Sequence, residues 1–232
     1  MIAISDNTAT DALLWEFGRD RIDGRLAAWG FHSRPMLFST AEMFALSAGL
    51  GDLPQSPEIR RKMLGGLDRR AAYAMAGEAL DAIERDRDGA MAKVETYYET
   101  APYLERRALS HLLDWRITPE ELASFYARVA LGKFESPAVS GIVARYLAKG
   151  GDGMLGAYLR GDERKKAVAR KGGSDTGILT DGGYVPTTDD RHVAVVVMAD
   201  DLPPDASDEM MVPRLSELSQ LIFDYLEPRG RR

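Results

Sequence analysis

Strand-forming residues are confined to one late stretch of this chain, and this segregation most limits the folds open to it. Residues before about 165 carry helical periodicity, whereas 192–199 is a nearly continuous β-branched run typical of a buried strand. Further extended segments are expected at 167–171 and 177–185, and a final amphipathic helix follows at about 215–225. Strands late, with helices before and after, predict a single α+β domain spanning residues 1–232.

Helix starts are marked most clearly at Thr118-Pro119-Glu120-Glu121. The threonine hydroxyl can accept a hydrogen bond from an orphan amide, and Glu121 can complete a capping box. Thr40 is expected to cap an earlier helix, and residues 56–88 predict one or two amphipathic helices. Gly182-Gly183 is expected to form a turn.

Composition excludes several classes of function. The net charge is −6 and the basic residues are interleaved with acids, so no nucleic-acid partner is expected. The chain has no cysteine, and His32, His111 and His192 lack metal-ligand spacing, so we expect neither a metal nor a cofactor. Met1–Ile4 does not have the features of a signal peptide, and no apolar run is long enough to span a membrane.

Ser5-Asp6-Asn7 is the first candidate motif. Asn7 is the only asparagine in the chain, and a helical run carrying Leu13 and Phe17 follows it. The alternative to a catalytic role is structural, because asparagine is a preferred N-cap residue and this one would cap that helix.

Lys171-Gly172-Gly173-Ser174 is the second candidate motif, and it lies on a predicted strand. A lysine beside a cleft attracts a substrate carboxylate, and a glycine such as Gly173 lets a substrate approach the strand backbone closely. The structural alternative is an ordinary strand-edge lysine before a glycine turn.

Together the two motifs resemble two of the three signature elements of the class A β-lactamases and penicillin-binding proteins. The K-G-G-S form is similar to a β-lactamase-like subgroup that includes a protein of clavulanic acid biosynthesis. The resemblance implies an antiparallel sheet flanked by helices, with a helical insertion at about 54–100. It also implies that strands and a nucleophile helix precede S-D-N, so the chain is expected to be N-terminally incomplete.

The resemblance also assigns roles to individual residues. Ser5 would relay a proton toward the leaving group, Asn7 would hold a substrate amide, and Lys171 would orient a carboxylate and tune Ser5. The backbone N–H of Ser174 would form half of an oxyanion hole. Gly172 stands where the family has threonine or serine, so a hydroxyl for the carboxylate is expected from Ser174 or Thr176.

Two departures from the family pattern concern the chemistry itself. No serine has a lysine three positions later, so the S-x-x-K nucleophile is absent from these 232 residues. The E-x-x-L-N loop that carries the deacylation glutamate is also absent, since Asn7 is the sole asparagine. Glu95, Glu99 and Glu105 lie in the corresponding part of the chain and are expected on helix surfaces. The chain is therefore either a truncated product or a natural nucleophile-less relative.

The implied activity is acyl transfer to water from a small-molecule acyl substrate: a β-lactam, an ester or a D-alanyl peptide. The chain alone is expected to be inactive, and a binding or interaction module with the same cleft is the alternative. Export is expected if a signal peptide lies upstream. Self-association is expected through an exposed sheet face led by Val193–Val197.

Overall fold

The computed structural model describes residues 2, 5–33, 36–150, 153–156, 168–187, 191–204, 206 and 208–226. The chain forms two compact units, Asn7–Ile117 and the combination of Met1–Asp6 with Thr118–Arg232. The expectation of one domain with an insertion at 54–100 stays a prediction. Among the described residues, no helix is both long and apolar enough to cross a lipid bilayer.

The first unit is helical. Its helices are α1 (Asn7–Phe17), α2 (Arg19–Ala28), α3 (Thr40–Ala48), α4 (Pro57–Gly65), α5 (Arg69–Arg85), α6 (Arg87–Thr100) and α7 (Tyr103–Leu113). The stretch 56–88 thus holds α4, α5 and the first residues of α6. The core of the unit is aliphatic and includes Leu46, Leu50, Leu64, Ala76 and Leu109.

A short polar side chain fixes where α3 begins. Ser39 caps α3 in a capping box, in which its hydroxyl accepts from the Glu42 N–H at 3.1 Å and the Glu42 carboxylate accepts from the Ser39 N–H at 2.7 Å. The expected cap, Thr40, is instead the first helical residue, because Ser39 has the extended backbone that an N-cap requires. Helix α1 begins at Asn7.

The second unit contains α8 (Pro119–Ala130), α9 (Pro137–Leu147), a 3₁₀ turn (Ala148–Gly150), α10 (Gly153–Gly156), β1 (Ala169–Asp175), β2 (Ile178–Pro186), β3 (His192–Ala199) and α11 (Asp208–Leu226). The described strands form one antiparallel sheet in the order β1-β2-β3. This architecture confirms the predicted α+β fold. The Thr118 capping box is also confirmed, since its hydroxyl accepts from the Glu121 N–H at 3.1 Å.

The prediction of a turn at Gly182-Gly183 is wrong. Both glycines lie within β2, where Gly182 pairs with Lys171 and Gly183 with Arg170. The β1–β2 turn is instead at Thr176-Gly177, and Gly177 has a φ of 77°. Glycine is needed at position 182 because a Cβ there would lie 2.8 Å from Cε2 of Tyr126, a residue of α8.

The expectation that Val193–Val197 exposes an apolar face is also wrong. Val195 and Val197 are only 5% and 6% exposed, in a cluster that also contains Leu155 and Leu215. The last helix, α11, supplies Leu215 to that cluster. Self-association stays a prediction, but Val193–Val197 does not provide an exposed apolar surface for it.

A buried ion pair joins β1 to β2. Arg170 Nε donates to Asp181 Oδ1 at 2.6 Å, and the Asp181 side chain is fully buried. The other carboxylate oxygen of Asp181 accepts from the Met154 and Leu155 amides of α10 at 2.9 and 3.2 Å. Arg170 also donates to the Gly150 carbonyl at 3.1 Å. One carboxylate therefore anchors both strands and the α10 segment on the same face of the sheet.

We predict that Asp181→Asn destabilises the protein by about 3–5 kcal/mol, the usual cost of leaving a buried charge unpaired. The double variant Arg170→Met/Asp181→Asn is the matched control, because the amide oxygen still accepts from α10 while no charge remains. It should recover more than half of the loss. The measurement is the free energy of unfolding in urea, and equal losses in both variants would contradict the assignment.

Gly182→Ala should cost about 1–3 kcal/mol, because the added methyl group overpacks the contact with Tyr126 and Val196. Gly173→Ala is the matched control on the neighbouring strand. A Cβ at Gly173 meets only Thr180 Oγ1, at 3.6 Å, which is an ordinary contact. Thermal melts of both variants test the difference, and a Gly182→Ala melt equal to that of the parent would refute the tight approach.

Candidate functional site

The residues of the second motif lie alternately on the two faces of β1, because successive side chains of a strand point in opposite directions. Lys171 and Gly173 lie on one face, together with their partners Gly182 and Thr180 on β2. Gly172 and Ser174 lie on the opposite face. The lysine that the sequence singled out therefore does not share a face with the serine hydroxyl expected to assist it.

Lys171 is half-buried, and its ammonium makes two hydrogen bonds. Nζ donates to the carbonyl oxygen of Gly172 at 2.5 Å and also to the Ser5 hydroxyl oxygen. Ser5 belongs to the same compact unit as β1, although it lies 166 positions earlier in the sequence. The structure thus brings together the first residue of one motif and the lysine of the other.

The environment of Lys171 disfavours its charged form. Burial is the main cause that lowers the pKa of the ammonium below its usual value, and the neighbouring Arg170 guanidinium lowers it further. The Asp181 carboxylate opposes both effects. A lysine with a lowered pKa gives up a proton more readily than an ordinary surface lysine.

Ser5 has an unusual backbone conformation. Its φ is 54°, in the left-handed region that costs a non-glycine residue on the order of 1–2 kcal/mol. The residue is exposed, and Lys171 holds its side chain. Strained residues of this kind cluster at functional sites, so the conformation supports a functional reading of the S-D-N loop.

Arg170 explains why residue 172 is glycine. A Cβ at Gly172 would collide with the Arg170 guanidinium, which occupies that space on its way to Asp181. Glycine at position 172, in place of the threonine or serine of the family pattern, therefore leaves space for the ion pair between Arg170 and Asp181.

The other candidate residues of this region lie along β1 and in the turn that follows it. Gly173 is exposed, so the backbone there is open to solvent. Ser174 is exposed on the face opposite Lys171. Thr176 lies in the hairpin turn, five residues or about 16 Å along the strand from Lys171 at 3.3 Å per residue. Neither hydroxyl is thus placed beside the ammonium.

Thr180 is a residue that the sequence reasoning missed. It pairs with Gly173 on the Lys171 face, and its hydroxyl lies 3.4 Å from the Gly173 carbonyl oxygen. The pairing register is the signal that would have found it, but register depends on where the hairpin turns, and the glycines at 182–183 obscured that.

Asn7 and the candidate glutamates lie in the helical unit. Asn7 is exposed at the first position of α1, and its predicted contact with a substrate amide stays a prediction. Glu95 and Glu99 are exposed on α6, and Glu105 is half-buried on α7. Over the described residues, neither unit taken alone brings three His, Asp or Glu ligand atoms within reach of one metal ion.

Comparison with known proteins identifies the family. The sequence model of a family described as "Beta-lactamase enzyme family" matches residues 1–226. No curated protein sequence matches the chain.

Three solved structures illustrate the similarity. A β-lactamase from Chitinophaga pinensis DSM 2588 is 22% identical over 49% of this chain and 43% of its own, with a TM-score of 0.43. The TLA-3 extended-spectrum β-lactamase is 13% identical over 84% of this chain and 86% of its own, with a TM-score of 0.43. A single-substitution variant of the TLA-1 extended-spectrum β-lactamase is 15% identical over 81% of this chain and 74% of its own, with a TM-score of 0.42. Because the family match spans nearly all of the sequence, this chain belongs to the β-lactamase enzyme family.

Proposed function

We propose that Ser5, Lys171 and the exposed part of β1 form the proton-relay and substrate-recognition part of a serine acyl-transfer site. The substrate is a small molecule with a carboxylate and an acyl group: a β-lactam, an ester or a D-alanyl peptide. The hydrogen bond from Lys171 Nζ to the Ser5 hydroxyl is the observation that carries the proposal.

The direction of that hydrogen bond sets the role of Ser5. An ammonium has three donors and no acceptor, so Ser5 Oγ must be the acceptor. The Ser5 proton then remains available to a leaving nitrogen or oxygen. As Ser5 gives this proton to the leaving group, Lys171 can replace it, and its lowered pKa favours that transfer.

The outer edge of β1 supplies the recognition surface. Among the described strands, β1 pairs only with β2, so no described strand occupies its other edge. Alternate residues of an antiparallel strand direct N–H and C=O to the same edge. The Gly172 carbonyl reaches the Lys171 ammonium, and we expect the Ser174 N–H to point to that same edge. Thr180, rather than Ser174 or Thr176, would supply the hydroxyl for the substrate carboxylate.

The nucleophile is the part that these 232 residues lack, since no S-x-x-K occurs. The alternative function, a binding module that holds such a substrate without turnover, uses the same surface. Binding and covalent chemistry must therefore be measured separately.

Benzylpenicillin should bind the chain without forming an acyl-enzyme, because loss of the nucleophile typically costs about a million-fold in kcat. Intact mass spectrometry should show no adduct, while NMR titration should shift the β1 amides. Lys171→Met should weaken this binding, whereas Lys133→Met, which removes an exposed lysine outside the site, should not. A stoichiometric adduct on any serine would refute the missing nucleophile, and equal binding by both variants would refute the recognition role.

Lys171 should titrate below the usual lysine value when its Cε resonance is followed by lysine-selective ¹³C NMR. Since its pKa is lower in the folded state, the unfolded chain binds more protons between that pKa and about 10.4. The free energy of unfolding should therefore rise with pH through this window, and Lys171→Met should remove the rise. Ser5→Ala should shift the Lys171 resonance; no change would show that the contact is absent in solution.

A further inference from the structure

The helical unit contains a cavity of about 450 Å³ that shares no residue with the Lys171 site. It is walled by the end of α3, the start of α4, one face of α6 and the segment that leads into α7. Cavities that hold small organic ligands have volumes of roughly 300–1,000 Å³, so this one is large enough for a molecule. Much of its wall comes from residues 54–100, the segment that we expect to be an insertion.

Arg60 lines the cavity and is 1% exposed. Its Nη1 donates to the Pro54 carbonyl at 2.5 Å, and its Nη2 donates to the Ser47 carbonyl at 2.5 Å. Its Nε is buried and has no hydrogen-bond partner among the residues that the structure describes. A buried donor without an acceptor has lost its hydrogen bonds to water and gained none in return, so this atom needs an explanation.

The charge of Arg60 is also uncompensated. Its contacts within the described part of the chain are backbone carbonyls and Tyr97, whose ring centre lies 5.5 Å from the guanidinium carbon; none is a carboxylate. Burial lowers the pKa of Arg60 below its usual value, as expected for a cation removed from water. Buried charges in proteins are normally paired, which leaves room here for an anion.

The rest of the wall suits the same kind of ligand. Lys93 on α6 adds a second cation, and none of the described residues that line the cavity is Asp or Glu. Thr96 and Thr100 also line the cavity, but their hydroxyls donate to the Ala92 and Thr96 carbonyls of α6 at 2.8 and 2.6 Å, so the two cations are the groups that would bind an anion. Alanine and proline side chains form the apolar remainder, for example Ala92 and Pro102.

We propose that this cavity is a binding site for a small organic carboxylate, with one oxygen accepting from Arg60 Nε and the charge shared with Lys93. Backbone carbonyls take three of the five N–H donors of the guanidinium, which leaves Nε–H and one N–H of Nη2. A carboxylate can accept from these donors, and the apolar part of the wall favours an organic ion over inorganic phosphate. The apolar wall accommodates the body of the ligand.

The test is an NMR titration of the whole chain with sodium benzoate, benzamide and inorganic phosphate at constant ionic strength. Benzoate should shift the amides of Lys93, Thr96 and Thr100 saturably, whereas the neutral isostere benzamide and phosphate should not. Because each amide reports its own position, binding here is distinguished from binding at Lys171 on β1.

Substitutions in the cavity wall, with one distant control, sharpen the test. Lys93→Gln should weaken benzoate binding about two- to fivefold, the effect of losing one exposed ion pair, while Lys133→Gln should leave it unchanged. Arg60→Met risks the fold, because Arg60 holds the carbonyls of Ser47 and Pro54. Ala92→Leu avoids that risk, since Ala92 is exposed on α6 and a leucine there fills the cavity and should abolish binding.

Three results would overturn the proposal. Equal shifts with benzoate and benzamide would mean that the cavity recognises no charge. Stronger shifts with phosphate than with benzoate would mean that the ligand class is wrong. Unchanged benzoate binding in the Ala92→Leu variant would mean that the anion binds elsewhere.

Discussion

The buried pair between Arg170 and Asp181 is the interaction on which the site depends. It fills the opposite face of β1 from Lys171 and ties β1, β2 and α10 to one carboxylate. Because side chains alternate along a strand, committing Arg170 to that face commits Lys171 to the other. The same pair occupies the space where a side chain on Gly172 would stand. The glycine that departs from the family pattern is therefore a consequence of the anchor.

The electrostatics of Lys171 follow from the same anchor. Arg170 lowers the pKa of the lysine and Asp181 raises it, so the pair acts on Lys171 through the thickness of the strand. Burial adds the largest effect. Ser5 accepts from this ammonium while its backbone holds a left-handed conformation, which is costly for a residue other than glycine.

Local signals were predicted well, and features that depend on tertiary contacts were not. The capping box at Thr118 depends on four consecutive residues, and β3 was predicted from its β-branched composition. The role of Gly182 could not be inferred, because it comes from its contact with Tyr126, a residue of another element. The burial of Val195 and the position of Thr180 likewise depend on α11 and on strand register. The cavity of the helical unit has no sequence signal, since its wall combines several helices.

Arg60 and Arg170 differ in the groups that contact their guanidinium groups, and this difference distinguishes a structural arginine from a candidate ligand-binding one. Arg170 donates to the Asp181 carboxylate and to the Gly150 carbonyl. Its charge is therefore neutralised within the protein, and a structural role accounts for it. Arg60 is at least as buried, but its partners within the described part of the chain are backbone carbonyls and Tyr97, and none of them is a carboxylate. Carbonyl dipoles stabilise a guanidinium less than a carboxylate does. Arg60 therefore lacks the negative charge that Arg170 obtains from Asp181, and an anionic ligand would supply it.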